Sequence, residues 1–247
     1  YYLVEKEFNK KAALYSTLFL ITLPSLQILS HRVLTEVVLL PFYMLMMFSF
    51  YFGFNRDKKW FIPFGISAGL AVLTRFSVLP VFAVLFGYMC YEFLVIRRGS
   101  IGYFLMGVGF GVMVFLSFTY VADPSGYMLN FYFNSISHNI AKDVVIENPM
   151  EPQYFYIVNL PVAVVGLVFI LPFGFYYLYM DNKKIFWYMG AVLISLLVVK
   201  SILNFKHIRY FFDMLPVLVI FAGYGAYKLD IKSNKSITNL LPILLPF

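Results

Sequence analysis

Lys206-His207-Ile208-Arg209-Tyr210-Phe211-Phe212-Asp213 is the densest run of chemistry-bearing side chains in the sequence. In helical geometry Lys206, Arg209, Tyr210 and Asp213 share one face, and His207 points elsewhere. Asp213 offers a partner to Arg209, which leaves the charge of Lys206 unbalanced. An anionic lipid headgroup, or a phosphate carried on a polyprenyl chain, would balance it; the plainer reading is generic anchoring to headgroups. A second constellation is Ser30-His31-Arg32-Val33-Leu34-Thr35-Glu36, a polar island between apolar runs. Arg32 and Glu36 are four apart and share a helix face. Either they pair to stabilise a helix start, or at least one serves an aqueous cavity that opens at the island. His31 reads as a hydrogen-bonding surface residue. The third candidate is Arg75, in Ala71-Val72-Leu73-Thr74-Arg75-Phe76. Its long stem lets it snorkel to headgroups, and its fixed fork of donors equally suits an oxyanion.

Composition says where such residues must be held. Of 247 residues, 62% are hydrophobic and 13% charged, with a mean hydropathy of +0.81. A soluble domain carries roughly 25% charged residues, so the deficit in charge argues for a membrane protein. Aromatic residues make up 21%, which suits helices with interfacial anchors. The net charge of +7 forms no basic face with interleaved aromatics outside the hydrophobic runs, so no nucleic-acid partner is expected. The single cysteine, Cys90, lies in an apolar run, reads as a small buried hydrophobe and permits no internal disulfide. The sequence starts without Met and stops within a fresh apolar run, Leu240–Phe247, so a fragment of a longer membrane protein is expected.

Eight apolar segments of about 20 residues, the length a helix needs to cross a bilayer core, can be laid out. They cover 12–29, 37–54, 60–74, 76–95, 101–121, 159–180, 185–203 and 210–227. The third is short and meets the fourth at Arg75, as a tight hairpin, a broken helix or a re-entrant element. Alternate connections hold Lys6, Lys10, Lys11; Arg56, Lys58, Lys59; Arg97, Arg98; Lys183, Lys184; and Lys228, Lys232, Lys235. The opposite set holds only Arg32, Arg75, Lys142, Lys206 and Arg209, with Lys200 inside a segment. The positive-inside rule therefore puts the first set in the cytoplasm and the polar island outside. Glu36, Asp123, Asp143, Glu147, Glu151 and Asp213 fall on the outer side too, for cation binding, for hydrogen bonds to sugar hydroxyls, or simply solvated.

The longest connection, 122–158, is expected outside the membrane. Within it Leu129, Phe133, Ile136 and Ile140 make an apolar stripe beside Asn130, Asn134, Ser137 and Ala141, as in a helix lying in the interface. Asn148-Pro149-Met150-Glu151-Pro152 breaks that pattern, and Tyr154, Phe155 and Tyr156 return the chain to headgroup level. The stretch reads as a flap over an outward cavity or as a passive anchored loop. The fold class is thus all-α: a polytopic transmembrane helical bundle of about eight membrane segments, forming a single domain with an outer interfacial helix. Gly65, Gly69, Gly107, Gly109 and Gly111 permit close helix packing without naming a function. No Walker loop, zinc motif, dinucleotide fingerprint or serine elbow is present. Asn234-Lys235-Ser236 matches a glycosylation acceptor on the cytoplasmic side, where it stays unused.

The ordered set formed by Ser30–Glu36, Gly65–Arg75, Gln153–Tyr156 and Lys206–Pro216 continuing to Gly225 resembles the polytopic glycosyltransferases of the GT-C fold. It is closest to the group of lipid-linked-sugar-dependent protein mannosyltransferases and lipid A aminoarabinose transferases. The resemblance implies an enzyme that moves a sugar, mannose or a similar hexose, from a polyprenyl-phosphate donor to a hydroxyl acceptor on a protein, lipid or glycan. The reaction would take place on the extracytoplasmic side of a plasma membrane or endoplasmic reticulum. Under it, Glu36 is similar to the acidic residue of the second outer loop, catalytic and near a divalent cation (Mg or Mn) or the acceptor. Arg75 stands where the group has Lys or Arg after a Leu-Thr pair. Lys206 and Arg209 resemble the basic residues beside the donor phosphate, with Arg32, Tyr210 and Asp213 on the same substrate-binding side. The group's principal acid lies in a first outer loop upstream of these residues, so activity is expected of a longer chain. The rival readings are a secondary transporter, which would show an inverted repeat and a midplane site, and a noncatalytic membrane subunit of a glycan pathway.

Overall fold

The structure is a computed structural model that describes residues 1–23, 35–74, 78–94, 101–122, 124, 125, 130, 134, 166–202 and 213–233. Every regular element among them is helical: α1 (Tyr2–Glu7), α2 (Lys10–Thr22), α3 (Thr35–Asn55), α4 (Phe61–Thr74), α5 (Leu79–Leu94), α6 (Ile101–Ala122), α7 (Leu171–Asp181), α8 (Lys183–Ile202) and α9 (Leu215–Ser233). Single 3₁₀ turns at Lys58–Trp60 and Leu167–Phe169 lead into α4 and α7. Of these helices, α3, α6 and α8 are long and apolar enough to cross a membrane, over Val37–Asn55, Ile101–Val121 and Lys183–Ser201, and α5 is a shorter apolar helix. The chain is an integral membrane protein. Asn130 and Asn134, which belong to the expected interfacial helix, are helical and exposed; the rest of 127–142 and the aromatic return at 153–156 lie outside the described residues.

The helices group into two compact units. One holds α3 from Val38 onward, with α4, α5 and α6; the other holds α1, α2, α7, α8 and α9.

In the first unit the closest approach is between α4 and α6. A Cβ added to Gly65 would lie 1.7 Å from the Gly107 carbonyl oxygen, and one on Gly69 would lie 2.5 Å from that of Gly111. Both numbers rise together along the two helices, so α4 and α6 run parallel, in contact backbone to backbone. This is the packing that small residues four apart allow, as expected of these glycines; Gly109 faces open space instead. An aromatic cluster ties the remaining helices to one end of this pair. Phe54 of α3 meets Phe61 of α4 at 4.9 Å between ring centroids, Tyr88 of α5 at 5.9 Å and Phe93 at 5.6 Å. Phe64 stacks on Phe104 of α6 at 6.1 Å. The end of α3, the start of α4, the end of α5 and the start of α6 therefore share one level, so the helices alternate in direction. Helix α5 runs back antiparallel to α4, and the turn between them at Arg75 lies outside the described residues.

In the second unit α9 is the central helix. From Met214 to Ala226 nearly every residue is buried, the mark of a helix covered on all sides. Gly223 admits Ser16 of α2, whose Oγ would stand 2.1 Å from an added Cβ, and Gly174 of α7 takes the Phe221 carbonyl in the same way at 1.9 Å. Helix α8 buries one stripe, Ile185, Met189, Val192 and Leu196, and exposes Trp187, Ile194 and Val198 on the other face. That is the split of a helix lined by protein on one side and lipid on the other.

Two expectations change. Helix α9 does not stop near residue 227 but runs to Ser233, carrying Lys228, Asp230 and Lys232 on its last turns. The extension is held by partners from other helices: Lys11 pairs with Asp230 at 3.0 Å and Lys228 with Asp181 at 2.8 Å. Cys90 is half-buried rather than buried.

Candidate functional site

The alternation of helices sorts the charged residues by end, within each unit separately. In the second unit Lys10 and Lys11 open α2, Asp181 closes α7, Lys183 and Lys184 open α8, and Lys228 and Asp230 lie on the last turns of α9. All gather at one end, as the charge pattern of the connections requires. In the first unit Arg56, Lys58 and Lys59 follow α3 at the level of the aromatic cluster. Its opposite end carries Thr74, the residue before Arg75, while Glu36, in the first turn of α3, precedes the part of that helix that belongs to this unit. The length of α3 separates Glu36 from Asn55 by roughly 29 Å. Asp213, just before α9, lies at the end of the second unit away from its basic residues, and Glu36 lies at the end of α3 away from Arg56.

Of the sequence-derived candidates, Glu36 is placed by its backbone and Asp213 in full. Arg32, Arg75, Lys206, Arg209 and Tyr210 lie outside the described residues. Asp213 stands in the turn just before α9, buried, with its carboxylate taken up by Lys200. Side-chain exposure is 4% for Lys200 and 3% for Asp213, so the pair is withdrawn from solvent. Sequence reasoning offered Arg209 as the partner of Asp213 and left Lys200 without a role. The signal was present all the same: Lys200 follows Leu196 by four residues and so continues the buried stripe Ile185, Met189, Val192, Leu196. A lysine on a core stripe needs a counter-charge, since an isolated charge in an apolar interior is far too costly.

A second polar group was also missed. Glu92 of α5 is fully buried, one turn after Tyr88. The Tyr88 hydroxyl accepts a hydrogen bond from Asn55 Nδ2 at 3.1 Å, and Asn55 donates as well to the Tyr51 carbonyl at 2.8 Å. This polar group sits at the aromatic, basic end of its unit, at the far end of α3 from Glu36. Its place suits fastening α3 to α5 rather than the site.

At the basic end of the second unit, Asp181 accepts from Tyr224 at 2.6 Å and pairs with Lys228. Burial pushes the Asp181 carboxyl up, but the hydrogen bonds from Lys228 and Tyr224 outweigh it and hold the group below its ordinary value. A depressed carboxylate contributes stability above its unfolded value of about 3.9, and that contribution is lost as pH falls through the lower folded value. Thermal unfolding of wild-type and Asp181→Asn protein should therefore differ at pH 7, with the difference shrinking as pH falls through the lowered folded value. A difference that persists unchanged at low pH would remove the charge-based account.

Comparison with known proteins follows this geometry. Residues 1–121 match the family model for dolichyl-phosphate-mannose-protein mannosyltransferases. Among solved structures the chain is similar to ArnT from Cupriavidus metallidurans, in the apo state with a TM-score of 0.69 and bound to undecaprenyl phosphate with a TM-score of 0.70. In both cases identity is 18%, and the match covers 94% of this chain and 43% of the ArnT chain. The chain thus spans less than half the length of the structures it matches. No curated protein matches it. The resemblance to polytopic GT-C glycosyltransferases is borne out, by the family model over the first part of the chain and by the fold over almost all of it.

Proposed function

We propose that this chain is part of a membrane glycosyltransferase that moves a sugar, mannose or a similar hexose, from a polyprenyl-phosphate donor to a hydroxyl acceptor on a protein, lipid or glycan, at the extracytoplasmic face. The observation that carries this reading is the likeness to ArnT, one of whose structures is bound to undecaprenyl phosphate, taken with the mannosyltransferase family match. The chemistry suits a membrane enzyme, because the donor's hydrocarbon tail stays in the bilayer while its phosphate enters a polar cavity. The acceptor oxygen attacks the anomeric carbon, and the bond to the phosphate oxygen breaks. Lys206 and Arg209 face the departing phosphate and offset its charge, with Arg75 and Tyr210 adding donors, so stabilisation falls where charge develops. Arg32 adds a further donor on the substrate-binding side, and Glu36 orients the acceptor hydroxyl or takes its proton. Asp213 acts through its pair with Lys200.

Among the described residues no three His, Cys, Asp or Glu side chains converge. A divalent cation, Mg or Mn, held by Glu36 stays within the proposal, and chelation tests it. Loss of transfer that added Mg or Mn restores would support the cation, and undiminished transfer would remove it.

The donor-phosphate role is tested in the full-length protein, reconstituted with a polyprenyl-phosphate sugar and a hydroxyl acceptor. Arg209→Ala should lower transfer by roughly 10- to 100-fold, the worth of a charge-assisted hydrogen bond, while leaving thermal unfolding unchanged. Unchanged turnover would sink the role.

A further inference from the structure

We infer that the outer face of α8, headed by Lys183, seats one anionic phospholipid of the leaflet that borders the basic end of the second unit. Lys183, Trp187, Ala191, Ile194 and Val198 follow one another at spacings of four, four, three and four, so they form one strip along the helix. All five are exposed, on the side opposite the buried stripe of Ile185, Met189, Val192 and Leu196. The strip runs from a cation through an indole to aliphatic side chains. A phospholipid presents the matching order: an anionic phosphate, an ester level that accepts hydrogen bonds, then hydrocarbon. The lengths agree as well. Trp187 and Val198 are eleven residues apart, about 17 Å of helix, and one leaflet supplies about 15 Å of hydrocarbon.

Charge decides which phospholipid fits. The acid nearest in sequence, Asp181, is already engaged, since its carboxylate accepts from Tyr224 at 2.6 Å and pairs with Lys228 at 2.8 Å. Among the described residues Lys183 meets no carboxylate; its ammonium stands over the Tyr179 ring, 5.4 Å from the centroid. Tyr179 in turn meets Trp187 edge to face, with 6.4 Å between centroids. The tyrosine ring therefore holds the cation beside the indole without neutralising it. Trp187 is 61% exposed, and its indole N–H, which finds no acceptor among the described residues, is turned to whatever covers the strip. A zwitterionic headgroup would bring a second cation to Lys183, whereas an anionic one brings only the phosphate charge. The strip thus selects by headgroup charge.

The test places the full-length protein in nanodiscs of mixed phosphatidylglycerol and phosphatidylcholine, one of the two carrying dibrominated chains. Quenching of Trp187 fluorescence is read as the difference between wild type and Trp187→Phe. Brominated phosphatidylglycerol should quench Trp187 at about one-fifth of the mole fraction that brominated phosphatidylcholine needs, the worth of one lysine at an anionic headgroup. Lys183→Gln should bring that ratio close to one, and Lys183→Arg should keep it. Lys10→Gln removes a charge from the same end of the unit, but from α2, and should leave the ratio in place. Equal quenching by the two lipids in wild type, or an undiminished preference in Lys183→Gln, would overturn the inference. A loss in Lys10→Gln as large as in Lys183→Gln would overturn it too, by assigning the preference to the net charge of that end. So would a Trp187 that neither lipid quenches, because a second copy of the chain or another part of the full-length protein would then cover the strip.

Discussion

Asp213→Ala is expected to cost about 3–5 kcal/mol of folding stability, the usual result of stripping one partner from a buried ion pair. Lys200, one turn after the buried Leu196 on the core stripe of α8, would lose the carboxylate of Asp213. Lys200→Met, which strips the lysine from the buried Asp213 carboxylate, should destabilise by a similar amount. Replacing both residues by apolar ones should recover most of the loss. Unfolding of the four proteins in detergent gives the coupling energy directly. Additive losses from the two single variants would show that the residues do not depend on each other.

Gly65→Ala should have an effect of similar size. Its new methyl carbon would stand 1.7 Å from the Gly107 carbonyl oxygen, a backbone atom that no rotamer change can move. Helices α4 and α6 would have to part, at about 3 kcal/mol or more, the upper end of what overpacking costs. Gly109→Ala is the matched control: it lies on α6, two residues from Gly107, and nothing stands within 4 Å of its added Cβ. That variant should gain up to about 1 kcal/mol from helix propensity. Equal effects of the two substitutions on unfolding temperature would show that α4 and α6 do not pack through these glycines.

How much of this was legible in the sequence depends on the range of the interactions involved. The segment bounds of α3, α5, α6 and α8 follow from hydropathy and length, and each observed helix lies within three residues of its expected limits. The alternation of direction followed from the charges of the connections, and the glycine contact of α4 with α6 from residue size. What could not be read was which distant charges meet. The end of α9 looked like a loop because Lys228, Asp230 and Lys232 interrupt the apolar run, and only Asp181 and Lys11, far away in sequence, make a helix affordable there. In the sequence Lys200 is an isolated charge and Asp213 a neighbour of Arg209; their own pairing emerges only when α8 and α9 are laid antiparallel. Glu92 drew no attention among its apolar neighbours for the same reason. Of the candidate site residues, the structure places the backbone of Glu36 at the start of α3 and Asp213 just before α9; the pattern that singled out Arg32, Arg75, Lys206, Arg209 and Tyr210 remains one of type and spacing.

The parallel contact of α4 with α6 also constrains the order of assembly during synthesis. The partner of Gly65 is made about 42 residues later, which at the usual pace of translation is a delay of roughly 2–8 s. Helix α4 must therefore enter the bilayer with its glycine face uncovered and wait there while α5 is made. When α6 emerges, α5 must stand aside and leave that face open. A chaperone or insertase that shields small-residue faces would find its client in this interval. A pause in translation placed after α5 would lengthen the exposure, and one placed after α6 would not.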